Sequence, residues 1–179
     1  MRLFIGIELS MALKEKLHEL QRVWLSYAYE KNPTSFDNFH LTLKFLGQID
    51  VHQIPDIEDA MSDTLKRYSS FSFVVDSIGT FKRGQKEILW AGMSQYSKEL
   101  DHIHRSLHHA MVDLGIPNLT QNFKPHITVA REVHFRCGET IKLPLLNHEE
   151  MVNGITLFIS KRVLGSLIYE PIYTHALKK

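Results

Sequence analysis

The chain has 179 residues, of which 44% are apolar, so it is long enough to bury one core of ordinary size. Its 21 basic and 20 acidic side chains leave a formal net charge of +1. A protein that holds a long stretch of nucleic acid by its overall charge is thereby excluded. The single cysteine, Cys137, excludes an internal disulfide and argues against a thiolate metal centre.

Hydrophobic runs in the sequence are short. Residues 1–10 carry only a brief apolar run before Glu8, unlike a signal peptide. Nowhere do about 18 apolar residues follow one another, as a membrane-spanning helix requires. We therefore expect a cytoplasmic protein that does not span a membrane. We also expect a monomer.

The first third of the chain alternates strand and helix patterns. Residues 2–9 form a compact apolar run that predicts a strand, and Ser10 is placed to cap a following amphipathic helix. Residues 30–38 are rich in turn formers and lead into a strand at 38–48. A second helix follows this strand, with apolar residues at helical spacing.

The remainder of the chain is richer in strand patterns. Residues 71–81 and 87–94 predict two strands joined as a hairpin by the basic turn KRGQK, and residues 97–114 predict a helix. Later strand candidates lie at 124–131, near 140–146, at 151–160 and at 165–175. Because strands and helices do not alternate strictly, the pattern favours an α+β fold with largely antiparallel sheets. No linker divides residues 1–179, so we expect a single domain.

One short motif occurs twice, 86 residues apart. HLTL at 40–43 recurs as HITV at 126–129, each time within an apolar strand pattern. Because side chains alternate along a strand, the histidine and threonine of each copy share one face, opposite an apolar face. A single such motif is commonly an amphipathic strand with a surface histidine, whereas two copies in opposite halves of the chain indicate a shared site.

The residue types in these two motifs suit phosphoryl transfer. Histidine has an ordinary pKa of about 6.5, so near neutral pH one imidazole can accept a proton while another donates one. Threonine hydroxyls can hold the nonbridging phosphate oxygens. Within each motif the two side chains lie about 7 Å apart along the backbone, so both can reach one tetrahedral anion.

Several segments together resemble a known family. MRLFIGIEL, NFHLTLKFLG, LWAGM, FKPHITVAR and the ending GITLFISKRVLGSLIYEPIYTHAL are similar, in order along almost the whole chain, to the RNA 2',3'-cyclic phosphodiesterases. These proteins, also called 2'-5' RNA ligases, belong to the two-histidine (2H) phosphoesterase superfamily. The resemblance implies a bilobal fold with two pseudo-symmetric lobes, largely antiparallel sheets flanked by helices, and one motif from each lobe in a central cleft. It implies neither a metal nor a cofactor.

The resemblance also implies a reaction at an RNA 3' end that bears a 2',3'-cyclic phosphate. Water attacks the phosphate, the 3' oxygen leaves, and a 2'-phosphate remains. His126 would be the proton acceptor for water and His40 the proton donor for the leaving oxygen. Thr42 and Thr128 would bind the phosphate. With a 5'-hydroxyl in place of water, the same site would form a 2'-5' linkage.

Two cations near the motifs are further candidates for phosphate binding. If the first strand stays regular, Lys44 shares the face of His40 and Thr42, although it could equally be a lysine at the solvated end of the strand. Arg131 matches the arginine that follows the second family motif, yet simple alternation puts it on the opposite face from His126. A bulge or an early strand end would bring Arg131 to the site; with regular alternation its role would be structural.

Other readings of the sequence stay open. The same site could act on a cyclic phosphate of a small nucleotide or of ADP-ribose, or the cleft could bind a nucleotide without turning it over.

His104 and His108 have the spacing of helical metal ligands, but we expect them on the solvated side of their helix. The basic turn could guide RNA. Phe39, Trp90 or, better placed, Phe123 could stack on a base.

Overall fold

The computed structural model describes residues 1–95, 97–117, 123–135, 144 and 146–179. Within these ranges the chain forms three α-helices and ten strands. The helices are α1 (Met11–Leu25), α2 (Ile54–Leu65) and α3 (Lys98–Asp113). The strands are β1 (Arg2–Glu8), β2 (Ala28–Pro33), β3 (His40–Gln48), β4 (Phe71–Val75), β5 (Ser77–Arg83), β6 (Lys86–Gly92), β7 (His126–Phe135), β8 (His148–Val152), β9 (Gly154–Val163) and β10 (Ser166–Ala176).

Eight of these strands form one sheet. Its order is β10-β9-β1-β3-β7-β6-β5, and β2 adds along β7. β4 and β8 make a separate two-stranded sheet. All pairings between these strands are antiparallel. The predicted α+β fold with largely antiparallel sheets is therefore confirmed.

The helices bury their apolar stripes against one face of the large sheet. α3 contacts α2 and β3, and α1 contacts β7. Leu41 of β3 and Ile127 of β7 belong to the same buried cluster as the helix stripes, and both have no exposed surface. The helix residues fully buried in this cluster are Leu13, Leu17, Trp24, Met61, Leu65, Ile103, Leu107 and Met111. Because this face is filled by the core, the alternate side chains of β3 and β7 point to the other face.

A buried carboxylate fixes the start of α1. Ser10 caps the helix as predicted, since its Oγ accepts a hydrogen bond of 3.2 Å from the backbone N–H of Leu13. The backbone N–H and the hydroxyl of Ser10 donate to Glu150 of β8 at 2.6 and 2.7 Å. Glu150 is only 2% exposed, and His148 lies 3.1 Å from its carboxylate. The helix is thereby tied to the small sheet.

Two details of the predicted elements are wrong. Residues 28–33 form an edge strand on β7 where the sequence indicated the start of a turn, because an edge position tolerates Pro33, which lacks an N–H. Residues 71–81 divide at Asp76 into two strands of different sheets. The hairpin of β5 and β6 is confirmed, with Gly84 at a φ of 65°.

Cys137 and most of the strand candidate at 140–146 lie outside the described residues. Among the helices that the structure describes, none combines the length and the apolarity needed to cross a membrane.

Candidate active site

The two HxT motifs meet at the centre of the large sheet. β3 and β7 pair there, with Leu41 opposite Ile127. In an antiparallel pair about 4.8 Å apart, this register places the histidine of each motif beside the threonine of the other. Accordingly, His40 and Thr128 line one cavity, and Thr42 and His126 line a neighbouring one. Two segments 86 residues apart thus form one polar surface.

Both histidines are held by the same backbone contact. Nδ1 of His40 lies 2.7 Å from the carbonyl oxygen of Asn38, and Nδ1 of His126 lies 2.7 Å from that of Lys124. Because a carbonyl oxygen can only accept, each Nδ1 must carry the proton, which leaves Nε2 to exchange protons. Nε2 of His40 is 2.9 Å from Oγ1 of Thr42, whose hydroxyl donates to it when the imidazole is neutral.

Aromatic side chains surround both imidazoles. The rings of Phe4 and Tyr169 have their centroids 4.7 and 4.8 Å from that of His40. Phe81 stands edge-on to His126 at 4.9 Å. These rings fix the orientation of each imidazole and exclude water from one side of it.

The environment of both histidines favours the neutral form. Burial lowers the pKa of His40 to about 4, against a hydrogen bond to Asn38 that raises it, and the positive charge of Arg131 lowers it further. Burial is also the main cause that lowers the pKa of His126, and Arg131 and Lys124 add to it. An anionic phosphate would offset these cations and raise both pKa values.

A β-bulge in β3 sends Lys44 away from the site. In the pairing with β1, Thr42 lies opposite Gly6 but Lys44 lies opposite Ile5, so Leu43 is an extra residue. The bulge reverses the alternation, and Lys44 points to the helices, where it has no exposed surface and its Nζ lies 3.0 Å from Nδ1 of His108. The prediction that Lys44 shares the face of Thr42 is therefore wrong.

The equivalent bulge in β7 brings Arg131 into the site. In the pairing with β6, Trp90 lies opposite Thr128 and Leu89 lies opposite Ala130, so Val129 is the extra residue. Alternation is again reversed, and Arg131 joins the face of Thr128. It lines all three cavities that adjoin the histidines.

The cleft is positively charged although the whole chain is nearly neutral. Three cavities of about 410, 430 and 420 Å³ border the two motifs. Their described lining residues include no aspartate or glutamate. The cations among them are Arg2, Arg83, Arg131, Arg162 and Lys124. Such a cluster attracts anions and stabilises bound phosphate.

Sequence reasoning missed several of these residues. Arg2 and Arg162 lie on β1 and β9, far from either motif in the chain, and Tyr169 lies on β10. Phe45 follows the bulge and faces the cleft, where Arg2 stacks over its ring at 4.9 Å. These cleft residues are brought together only by the order of the strands in the sheet, so no local sequence pattern could have predicted their place in the cleft.

The residues predicted to stack on a base or to guide RNA differ in whether they reach the cleft. Phe39 is 1% exposed and belongs to the core, and Trp90 is 7% exposed beneath Nζ of Lys124. Phe123 lines the cavity next to His126, as does Arg83 of the basic turn.

The helix histidines are only partly on the solvated side of α3. His102 and His109 are exposed. His104, however, stacks on Phe123 with ring centroids 3.8 Å apart, and its Nδ1 donates to the carbonyl of Leu43 at 2.9 Å. His108 is half-buried beside Lys44. The expectation of solvated side chains is wrong for these two because α3 packs on β3.

Comparison with known proteins points to one family. A family model described as 2'-5' RNA ligase superfamily matches residues 10–143. The chain is 29% identical to an RNA 2',3'-cyclic phosphodiesterase of Thermotoga maritima, with 97% of this chain and 94% of the relative covered. It is 28% identical to the protein of that name from Escherichia coli, with 98% and 96% covered.

A solved structure agrees with these matches over the whole chain. E. coli LigT in complex with 3'-AMP superposes with a TM-score of 0.84 at 26% identity, covering 99% of this chain and 98% of that one.

Proposed function

Because the chain belongs to the 2'-5' RNA ligase superfamily, we propose that it hydrolyses the 2',3'-cyclic phosphate at an RNA 3' end to a 2'-phosphate. The enzyme is a phosphodiesterase, as its relatives are. The observation that carries the proposal is the pair of imidazoles with the same tautomer, both lining cavities of one cationic cleft. No metal or cofactor takes part.

The proposed step is an in-line displacement at phosphorus. Nε2 of His126 accepts a proton from water as the water oxygen bonds to phosphorus, and the bond to the 3' oxygen breaks. His40 gives its proton to that oxygen. Thr42, Thr128 and Arg131 hold the nonbridging oxygens, which gain charge in the transition state. The acid and base roles follow the family resemblance.

The pKa values suit this scheme once substrate binds. In the free protein burial keeps both imidazoles neutral, as the base requires. The acid must carry a proton, and the bound anion raises the pKa of His40 by offsetting Arg131. Substrate binding would therefore charge one histidine of the pair.

A defined substrate tests the reaction. The protein is incubated with an RNA oligonucleotide that ends in a 2',3'-cyclic phosphate, with excess chelator, and the product phosphate is located. We expect a 2'-phosphate and a rate that the chelator leaves unchanged. A 3'-phosphate product or a loss of rate in chelator would contradict the mechanism. Nucleotide binding without turnover would indicate a non-catalytic module.

The cations of the cleft favour an RNA strand over a small cyclic nucleotide or an ADP-ribose derivative. Arg2 and Arg162 lie beyond the pair of motifs, where a second phosphate along a strand would reach. A ratio of kcat/KM for oligonucleotide over mononucleotide near unity would favour the small substrate.

We further propose that residues 1–179 act as one domain and as a monomer, each half contributing one motif. A cytoplasmic location is in keeping with the single cysteine.

A further inference from the structure

The backbone carbonyl that holds His40 belongs to a buried residue whose other polar groups are also engaged. Asn38 ends a short turn of 3₁₀ helix (Phe36–Asn38) and is only 7% exposed. Its backbone N–H donates to the carbonyl of Ser35 at 3.0 Å, and its own carbonyl oxygen accepts the Nδ1 proton of His40 at 2.7 Å. Burying a side-chain amide as well is costly unless that amide is hydrogen-bonded.

The side chain of Asn38 bridges to the last strand of the large sheet. Its Nδ2 donates to the carbonyl oxygen of Leu167 at 2.7 Å, and its Oδ1 accepts from the backbone N–H of Tyr169 at 3.1 Å. These two contacts fix which end of the amide is the donor. β9 is the only strand partner of β10 among the strands that the structure describes. The amide therefore supplies β10 with the donor and the acceptor that a neighbouring strand would present.

This bridge joins the segment ahead of His40 to a hairpin from the other end of the chain. The hairpin of β9 and β10 carries Arg162, which lines the two cavities next to His40. It also carries Tyr169, whose ring stands edge-on to the imidazole of His40 at 4.8 Å. One side chain thus links the carbonyl behind the imidazole to the strand that places an aromatic ring beside it.

The second histidine has a different support. The carbonyl that holds His126 belongs to Lys124, which is exposed. Nζ of Lys124 lies 4.3 Å from the ring centroid of Trp90, so a cation–π contact holds its side chain. The two imidazoles share the same backbone contact but depend on different neighbours. A change at Asn38 should therefore affect His40 and leave His126 as it is.

We propose that Asn38 is a positioning residue for the proton donor: its amide, anchored on β10, holds the carbonyl that keeps a proton on Nδ1 of His40 and directs Nε2 to the leaving oxygen. This inference rests on the proposed function. When His40 gives its Nε2 proton to the 3' oxygen, the neutral imidazole that remains carries its proton on Nδ1, where the carbonyl stabilises it. The same hydrogen bond raises the pKa of His40 against burial, which helps the acid to hold its proton.

The tautomer of each histidine tests the structural part of the proposal. Nitrogen NMR of the imidazoles at neutral pH should show the Nδ1–H tautomer for both His40 and His126 in the wild type. In Asn38→Ala the carbonyl loses its anchor, so His40 should become a mixture in which the Nε2–H tautomer is populated. His126 should stay in the Nδ1–H form. Signals of folded molecules are read separately, so partial unfolding does not obscure the result.

The rate on a cyclic-phosphate oligonucleotide tests the catalytic part. In Asn38→Ala we expect kcat to fall about 10- to 100-fold, as misplacement of a catalytic group predicts, with little change in KM. The alkaline limb of the kcat profile reports the acid in the enzyme–substrate complex. This limb should move to lower pH, because a hydrogen bond that raises the pKa of His40 is weakened. Asn38→Ser keeps a polar group at the position and should change both readouts in the same direction but less.

A buried polar residue away from the cleft provides the control. Glu150 is 2% exposed, accepts two hydrogen bonds from Ser10, and lies in the separate sheet of β4 and β8. It is not among the described lining residues of the three cavities. Glu150→Gln should therefore lower stability while kcat and the tautomer of His40 stay as in the wild type.

Three outcomes would overturn the role of Asn38. One is a wild-type tautomer of His40 in both Asn38→Ala and Asn38→Ser, and Asn38→Ser alone decides this point if Asn38→Ala does not fold. Another is a wild-type kcat in the variant that folds. The third is an equal loss of kcat in Glu150→Gln, which would trace the effect to stability. A wild type that does not hydrolyse the oligonucleotide would instead contradict the proposed function, and the tautomers would still report on Asn38.

Discussion

Leu41 of β3 lies directly opposite Ile127 of β7, and this contact joins the two halves of the site. Both side chains are fully buried on the helix side of the sheet. A slip of one residue would move every side chain of one strand to the other face. The buried pair therefore holds His40 and His126 on one surface.

Arg131 should shift the pH at which the enzyme works. Burial, and to a lesser extent the charge of Arg131, lowers the pKa of both histidines, so kcat/KM, which reports the free enzyme, should be greatest on the acid side of pH 6.5. In Arg131→Gln both limbs of the pH profile should move to higher pH. The maximum of kcat/KM should fall by about 10- to 100-fold, since a charged hydrogen bond to phosphate is lost.

Two lysines provide a control for this assignment. Lys124 lowers the pKa of His126, and Lys14 lowers that of His40. Lys124→Met and Lys14→Met should therefore each displace one limb, and a different one. Profiles in which Arg131→Gln moves neither limb would contradict the electrostatic account.

Lys44 should be dispensable for catalysis. It is fully buried on the far side of β3, and burial lowers its pKa. In Lys44→Met the side chain keeps its length and loses a charge that is costly to bury, so the free energy of unfolding should stay constant or rise. We expect kcat/KM within about twofold of wild type, because such a change away from the site has a small effect. A loss of kcat/KM of about tenfold or more would restore Lys44 as a phosphate ligand.

Glu150 should be a major support of the fold. Its carboxylate accepts two hydrogen bonds from Ser10 and lies beside His148. Glu150→Gln removes the charge from these bonds, so the free energy of unfolding should fall by about 1.5–3 kcal/mol. Glu15→Gln, an exposed change on α1, is the control and should have little effect. Equal denaturation midpoints for the two variants would disprove this role.

The buried imidazole of His40 should make the protein sensitive to acid. Between pH 6.5 and about 4 the unfolded chain takes up a proton that folded His40 does not. The free energy of unfolding should therefore decrease as pH falls through this window, by up to about 1.4 kcal/mol per pH unit for this residue. Denaturant unfolding at pH 4.5 and 7 should show a smaller difference in His40→Gln. An unchanged difference would mean that His40 is protonated in the folded state.

Strand alternation was sufficient to predict most of the site. The repeat of His40 and Thr42 at His126 and Thr128 follows from sequence alone, and their apolar neighbours are buried as alternation requires. Alternation failed at the two bulges, because an extra residue at Leu43 or Val129 depends on how the partner strand pairs. No residue type marks these bulges in the sequence.

The other incorrect predictions concern contacts between parts of the chain that are distant in sequence. The position of His104 against Phe123 depends on how α3 lies across β3, since helical spacing alone does not say which neighbour covers each side chain. Likewise, β2 became a strand because β7 offered a free edge, although the local sequence favours a turn.

The central claim is that His40 and His126 act together as acid and base. Single-turnover rates on a cyclic-phosphate oligonucleotide, in chelator, should be measured for His40→Ala, His126→Ala and the double variant. We predict a loss of about 10² to 10⁴ for each single variant, and a double variant little slower than the worse single one, because the two groups serve one step. Full rate in either single variant, with the protein folded, would contradict the mechanism.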